Sequence, residues 1–292
     1  MTVKKLERKL LKQMGRAIED YNMIQRGDRI MVCVSGGKDS LTLLRLLHLA
    51  SVRTNNSFEV FSFTLDQKQP GWDDTALRAW MADNHYPYEI YEKDTYSVVL
   101  DKTKPGKAYC SMCSRMRRGT IYQYAEQHGF NKVALGHHRD DLITSLLMSI
   151  CYSGEIRSMP PKMISDDRKN IVVRPLAYCA EEDIAEYAEL LNFPIIPCSL
   201  CGSQEGRSRQ RIKQVIDELT AENPDVPAVM LNALGNIQIS QLMDKRQWDF
   251  EGLEEKRLDK TSNVIPIQQE PEGACDSSHK GHNDDDNDIL SV

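Results

Sequence analysis

The sequence predicts an α/β fold in which a twisted, parallel β-sheet carries helices on both faces. Short apolar runs alternate with segments of helical length from residue 28 to about residue 200, as expected for parallel strands joined by crossover helices. The 292-residue chain is also 40% hydrophobic and 27% charged. This is an ordinary globular composition, with enough length for a large core.

Six short apolar runs are predicted as strands. The first, residues 29–34, lies between Asp28 and a pair of glycines, as expected of a buried strand. The other predicted strands are residues 58–65, 88–91, 132–135, 171–173 and 194–196.

Seven segments are predicted as helices. In the first, residues 2–24, apolar side chains recur every fourth residue beside a basic stripe of Lys5, Lys9, Lys12 and Arg16. The other predicted helices are residues 41–49, 73–84, 115–128, 139–150, 181–191 and 207–245.

Charge and periodicity divide the chain into four predicted regions. A basic helical region (1–27) precedes the α/β domain (28–205), and a second helical region (206–250) precedes an acidic tail (251–292). The tail holds eleven acidic and four basic side chains, which accounts for the net charge of −6, and we predict it to be disordered. Since no apolar run is long enough for a membrane helix or a signal region, we expect a cytoplasmic protein without a membrane partner.

A phosphate-binding loop is predicted at the end of the first strand, where Ser35-Gly-Gly-Lys-Asp-Ser40 opens a helix. The glycines allow close backbone approach and the helix N-terminus attracts anions, while Lys38 adds a positive charge. A plain strand-to-helix turn is the structural alternative. The loop is not the longer Walker sequence, so transfer of a γ-phosphate is not the expected reaction.

A second polar segment, residues 137–141, ends the fourth predicted strand and is expected at the same edge of the sheet. Asp140 and Asp141 could hold Mg²⁺ or a ribose, or could simply suit a helix N-terminus. We do not expect the adjacent His137 and His138 to bind one metal together, because their side chains would diverge in an extended segment.

Four of the eight cysteines form two Cys-x-x-Cys pairs, Cys110 with Cys113 and Cys198 with Cys201. The 84 residues between the pairs mean that they can meet only through the tertiary fold. Four thiolates would suit zinc or a closed cluster, and three would suit a [4Fe–4S] centre with an open iron. Two unrelated pairs of reduced thiols are the third possibility.

The remaining cysteines are not expected to act at a site. Cys33, Cys151 and Cys179 are interpreted as packing residues. Cys275 lies in the tail and has no partner in the sequence.

The phosphate loop resembles the PP-loop of the adenine nucleotide alpha-hydrolase superfamily, Rossmann-like enzymes that cleave ATP between its α- and β-phosphates. A longer series of motifs, in order from about residue 3 to residue 250, resembles the tRNA 2-thiocytidine synthetase family. These motifs are residues 35–40, 65–71, 110–119, 136–141, 159–162, 174–179 and 197–204.

The resemblance implies that residues 28–205 form an ATP pyrophosphatase domain that thiolates cytidine 32 of tRNA. The enzyme would adenylate the C2 oxygen of the base, and sulfide would then displace AMP. The residues implied to bind ATP are Ser35, Gly36, Gly37, Lys38, Asp39 and Ser40. The implied catalytic residues, which act with Mg²⁺, are Lys38, Asp39, Asp140 and Asp141.

The resemblance also implies a [4Fe–4S] cluster held by Cys110, Cys113 and Cys201, with Cys198 as a neighbour that does not bind iron. A cysteine desulfurase would supply the sulfur, and a homodimer is compatible with this scheme. Two sets of basic side chains could contact tRNA phosphates or be merely solvated. They are the N-terminal stripe and the group formed by Arg115, Arg117 and Arg118.

Two alternatives remain. A 2-thiouridine or lysidine synthetase would keep the fold and change the substrate, but the former typically has extra terminal cysteine pairs and the latter lacks the cluster cysteines. A metal-dependent RNA-binding protein without catalysis would not need the Lys38 and Asp39 found here.

Overall fold

A six-stranded β-sheet forms the centre of the fold. The computed structural model describes residues 1–102, 110–196 and 207–257. In these ranges the strands are β1 (Arg29–Cys33), β2 (Glu59–Asp66), β3 (Tyr88–Glu92), β4 (Lys132–Ala134), β5 (Lys162–Ile164) and β6 (Ile171–Val173). Their order is β3-β2-β1-β4-β6-β5, and only β5 is antiparallel to its neighbour.

The α-helices of the described ranges connect and cover these strands. They are α1 (Val3–Asp20), α2 (Lys38–Arg53), α3 (Thr75–Asp83), α4 (Tyr96–Lys102), α5 (Cys110–Gln127), α6 (Arg139–Ser153), α7 (Glu181–Leu190), α8 (Arg207–Glu222) and α9 (Val226–Ala233).

Both faces of the sheet are buried, which confirms the predicted fold class. Successive side chains of a strand point to opposite faces. On one face Ile30 and Val32 of β1 join a core that includes residues of α1, α2 and α7. On the other face Met31 packs in a core with Ile121 and Tyr124 of α5.

The strand order creates a switch point beside β1. From β1 the chain proceeds to β2 and β3 on one side, and it then crosses to β4 on the other side of β1. The loops that leave the carboxyl ends of β1 and β4 diverge there, which opens a crevice of the kind where α/β sheets bind ligands. The phosphate loop follows β1, and residues 136–141 follow β4.

Several elements differ from the sequence-based predictions. The predicted helix of residues 207–245 is wrong in extent, because α8 ends at Glu222 and α9 covers only Val226–Ala233. Residues 194–196 are not a strand, and β5 and α4 were not predicted. Helix α5 begins at Cys110, five residues before the predicted helix of residues 115–128, so Cys110 and Cys113 lie in its first turn.

The chain divides into two compact units, the first of which spans Met1–Leu234 and contains the sheet with α1 to α9. The second unit starts at Gly235, and its described part consists of turns with two short 3-10 helices, Ile239–Gln241 and Glu251–Leu253. Across the described residues, no helix has the length and apolar character needed to span a membrane.

Candidate functional site

The phosphate loop connects the end of β1 to the start of α2. The N–H of Val34 donates to the carbonyl of Phe63, which extends the pairing of β1 with β2. Ser40 Oγ then closes the loop, because it donates to the carbonyl of Gly37 at 2.9 Å and accepts the N–H of Ser35 at 3.2 Å. The N-terminus of α2 therefore opens at the carboxyl edge of the sheet, where it can bind an anion.

Two glycines in this region are required by close contacts. Gly36 has a φ of +82°, and a Cβ there would lie 2.8 Å from Cβ of Ile196, whose N–H donates to the Gly36 carbonyl. A Cβ on Gly136 would lie 3.0 Å from the backbone nitrogen of Ser40. The phosphate loop therefore packs between Ile196 and Gly136, the latter just after β4. Gly36 and Gly136 make this packing possible because they have no Cβ.

Lys38 is paired with two carboxylates. Its Nζ lies 2.8 Å from Oδ1 of Asp39 and 3.1 Å from Oε1 of Glu181, the first residue of α7. Burial alone would lower the pKa of Lys38, but the hydrogen bonds and charges of Asp39 and Glu181 outweigh it and raise the pKa above its usual value. Lys38 thus keeps its positive charge within the phosphate loop.

The aspartates predicted as catalytic surround His138, which is only 3% exposed. Its Nε2 lies 3.6 Å from Oδ1 of Asp39 and 3.4 Å from Oδ2 of Asp141. Asp140 accepts the backbone N–H of Glu181 at 2.7 Å and so joins α6 to α7. The loop after β1 and the helix after β4 therefore bring Asp39, Asp140 and Asp141 to one place. Oxygen ligands of this kind suit Mg²⁺.

The two adjacent histidines have different surroundings. Burial, with a smaller contribution from the positive charge of Arg174, lowers the pKa of His137 to about 4. The imidazole of His137 is therefore neutral near pH 7. Within the ranges that the structure describes, no three His, Cys, Asp or Glu side chains are arranged as a ready metal site.

Two basic residues of α8 also reach this site, and they were not predicted. Arg209 Nη2 lies 2.6 Å from Oδ1 of Asp141, and Lys213 Nζ lies 2.9 Å from Oε2 of Glu181. Burial alone would raise the pKa of Glu181, but the hydrogen bond from Lys213 and the charges of Lys38 and Lys213 hold it at about 2. Their spacing in the sequence places Arg209 and Lys213 on one side of a helix, but it does not indicate their carboxylate partners.

Cys113 lies at the same edge of the sheet. Its Sγ donates to Oε1 of Gln67 at 3.5 Å, and Gln67 directly follows β2. The side chain of Gln67 is held in turn by Thr95 Oγ1 at 3.1 Å. Because β2 adjoins β1, Cys113 lies one strand away from the phosphate loop. A half-buried thiol there suits a soft metal centre.

The structure describes the side chains of only some of the other cysteines. Cys110 is the first residue of α5, but its side chain lies outside the described part of the structure, as do residues 198, 201 and 275. Burial raises the pKa of both Cys33 and Cys179 to about 12, in keeping with packing residues. Cys151 is exposed, so its interpretation as a packing residue is wrong.

The basic groups predicted near tRNA lie on helix surfaces. Arg115, Arg117 and Arg118 are all exposed on α5. On α1, Lys9 of the N-terminal basic stripe forms an ion pair with Asp183 of α7. The positive charge of Lys9 is therefore already neutralised within the protein.

Comparison with known proteins agrees with this geometry. Residues 4–196 match the PP-loop domain family. The chain is 58% identical over 253 residues to a tRNA-cytidine(32) 2-sulfurtransferase of Coxiella burnetii (strain RSA 331 / Henzerling II), with 87% of this chain and 99% of that protein covered. A protein of the same name from Legionella pneumophila (strain Paris) is 58% identical over 250 residues, covering 86% of this chain and 88% of that protein.

Among solved structures, the chain is similar to a U34-tRNA thiolase, NcsA from Methanococcus maripaludis, described with its [4Fe–4S] cluster. The TM-score is 0.62 at 18% identity, over 82% of this chain and 80% of that one. The fold and the loop after β1 thus define a PP-loop protein. Within that class, the sequence identity of 58% extends over 99% and 88% of the two relatives. The chain therefore belongs to the tRNA-cytidine(32) 2-sulfurtransferase family.

Proposed function

We propose that this protein replaces the C2 oxygen of cytidine 32 in tRNA with sulfur, in a reaction driven by cleavage of ATP to AMP and pyrophosphate. The observation that carries the proposal is the position of Cys113, at the end of β2, next to a phosphate loop at the end of β1. A thiol site and a nucleotide site on neighbouring strands can act on one bound base. The names of the relatives favour cytidine over uridine.

The nucleotide would be held by residues 35–40. The N-terminus of α2 and the ammonium group of Lys38 would attract the phosphates. The carboxylates of Asp39, Asp140 and Asp141 are the groups that we propose to hold Mg²⁺, which would offset the charge of the phosphates. These roles are supported by the position of the three carboxylates around His138, at 3.4 to 3.8 Å from its ring nitrogens, and by the pairing of Asp39 with Lys38.

In the proposed first step, the C2 oxygen attacks the α-phosphorus of ATP, and pyrophosphate leaves with the electrons of the broken bond. Sulfide then adds to C2, the C2–O bond breaks and AMP departs. Adenylation is needed because an oxide is a poor leaving group, whereas AMP is a good one. No net oxidation or reduction occurs.

Cys110, Cys113 and Cys201 are the residues that we propose to hold a [4Fe–4S] cluster, since thiolates are its usual ligands. When bound, the cluster would present sulfide to the activated base. A thiolase with this fold has been described with such a cluster. We further propose a cysteine desulfurase as the sulfur donor and a homodimer as the assembly.

The test is an anaerobic assay with ATP, Mg²⁺, sulfide and a tRNA transcript. We expect 2-thiocytidine by nucleoside mass spectrometry and an equal amount of pyrophosphate. A tRNA with uridine at position 32 should yield neither. The Lys38→Gln variant should lose both products, and the matched control Lys169→Gln, an exposed ion-paired lysine on another part of the surface, should retain them. Thiolation without pyrophosphate release would contradict the proposal.

A further inference from the structure

Around the phosphate loop, at the carboxyl edge of the sheet, acidic and basic side chains are equal in number among the described ion pairs. In the described ranges, five ion pairs join four carboxylates around the phosphate loop to four basic side chains. These pairs are Lys38–Asp39, Lys38–Glu181, Arg139–Asp140, Arg209–Asp141 and Lys213–Glu181. Two of the four cations come from α8, an element outside the predicted catalytic motifs. Without them, four carboxylates would face two cations at a site for a polyanion.

Glu181 connects α8 to the phosphate loop through a single carboxylate. Its Oε1 lies 3.1 Å from Lys38 Nζ, and its Oε2 lies 2.9 Å from Lys213 Nζ. A phosphate group at the loop would compete with Glu181 for Lys38, because both are anionic partners of one ammonium group. Lys213 would then be the partner that keeps Glu181 neutralised beside the nucleotide.

Arg209 makes the equivalent link to the helix after β4. Its Nη2 lies 2.6 Å from Asp141 Oδ1, while Oδ2 of Asp141 accepts the backbone N–H of His138 at 3.3 Å. On the same face of α8, Ile212 and Ile216 pack in one cluster with Ile143 of α6. The helix therefore rests on α6 and directs two cations toward the site.

We propose that Arg209 and Lys213 are positioning residues that couple α8 to the bound nucleotide. They neutralise and orient Asp141 and Glu181, so that a nucleotide polyphosphate binds without facing unpaired carboxylates. By reciprocity, a nucleotide that depends on these ion pairs must also stabilise α8. The proposal rests on the proposed ATP-dependent function and adds a role for α8 within it.

The position of α8 in the chain gives this coupling a consequence. The helix starts directly after residues 197–206, which contain Cys198 and Cys201. Nucleotide binding would thus stabilise the helix that begins six residues after Cys201, a predicted cluster ligand.

The test measures hydrogen exchange of α8 together with nucleotide affinity in the full-length protein, purified anaerobically. The probe is α,β-methylene-ATP with Mg²⁺. In the wild type, the probe should slow exchange of backbone amides in residues 207–222. In the double variant Arg209→Gln/Lys213→Gln, affinity by calorimetry should fall about tenfold, a typical coupling between two sites, and the slowing of exchange should be lost.

Two sets of controls separate coupling from a merely structural role. Arg211→Gln changes a cation of the same helix that is 60% exposed and contacts only Gln214 and Glu218 among the pairs described, and it should behave as wild type. The conservative variants Arg209→Lys and Lys213→Arg should restore both readouts.

Three results would overturn the proposal. In the first, the probe binds but leaves α8 exchange unchanged in the wild type. In the second, the double variant exchanges faster but keeps the full slowing by the probe, as a structural role predicts. In the third, the wild type fails to bind the probe at all. Only that third result would also contradict the proposed function.

Discussion

At the scale of single residues, the sharpest constraint is on Gly36. Its φ of +82° disfavours any residue with a Cβ, and Cβ of Ile196 lies 2.8 Å from where that atom would be. We expect Gly36→Ala to cost about 1 to 2 kcal/mol of folding free energy from the backbone alone. The affinity for α,β-methylene-ATP should fall at least about tenfold, because the loop must shift.

Gly15→Ala in α1 is the matched control for this substitution, since nothing lies within 4 Å of the added Cβ. It should keep wild-type nucleotide affinity and raise the free energy of unfolding by about 0.5 to 1 kcal/mol. Urea denaturation and calorimetry measure both quantities. Unchanged affinity in Gly36→Ala would show that the loop geometry does not determine nucleotide binding.

His137 predicts a pH dependence of stability. Its pKa is about 4 in the folded protein, against about 6.5 for an unperturbed histidine. The unfolded chain therefore takes up a proton first, and stability should fall as the pH drops from about 6.5 toward 4. His137→Gln should reduce that fall, as measured by urea denaturation at pH 7, 6 and 5. An imidazole NMR titration of His137 with a midpoint near 6.5 would be incompatible with this account.

At the scale of elements, the sequence was most informative where periodicity extends over several turns. The apolar spacing on α1 and α6 and the bounded run of β1 identified those elements directly. Strand β5 has three residues and lies at the antiparallel edge, so its sequence carries too little pattern to identify it. Residues 194–196 have the apolar sequence of a strand but do not pair with the sheet. The N–H of Ile196 instead donates a hydrogen bond to the carbonyl of Gly36 in the phosphate loop.

The basic stripe on α1 leads to a prediction about tRNA. Replacing Lys5, Lys9, Lys12 and Arg16 with Gln should weaken tRNA binding and reduce its salt dependence, because each phosphate contact releases counterions. Lys9 is engaged by Asp183 and Arg16 lies near Asp20, so most of the effect should come from Lys5 and Lys12. Filter binding across a salt series measures the slope, and nucleotide affinity is the control. A wild-type slope in the fourfold variant would refute the idea.

At the scale of the whole molecule, the site was predictable where its chemistry is local in sequence. The loop of residues 35–40 and the segment after β4 each follow a strand, and the sheet topology brings them together. The roles of Arg209 and Lys213 were not predictable, because their carboxylate partners lie 68 and 32 residues away along the chain. Such pairs depend on how α8 packs against α6, which no local pattern encodes.

The acidic tail should be dispensable for the reaction. Residues 251–292 carry an excess of negative charge, which would repel tRNA phosphates. The Coxiella burnetii relative is matched over 99% of its length by 253 residues of this chain, so the rest of the chain has almost no counterpart there. A protein that ends after residue 260 should thiolate tRNA at the wild-type rate by nucleoside mass spectrometry. A soluble truncated protein without activity would contradict this prediction.

The central claim is that three cysteines hold a cluster with one iron open to sulfide. The measurement that tests it most directly is the iron and acid-labile sulfide content of the four single alanine variants after anaerobic reconstitution. Cys110→Ala, Cys113→Ala and Cys201→Ala should lose most of both, together with thiolation, while Cys198→Ala should keep wild-type contents. Equal loss of iron in Cys198→Ala and Cys201→Ala would contradict the open iron, and a colourless protein with zinc and no sulfide would contradict the cluster itself.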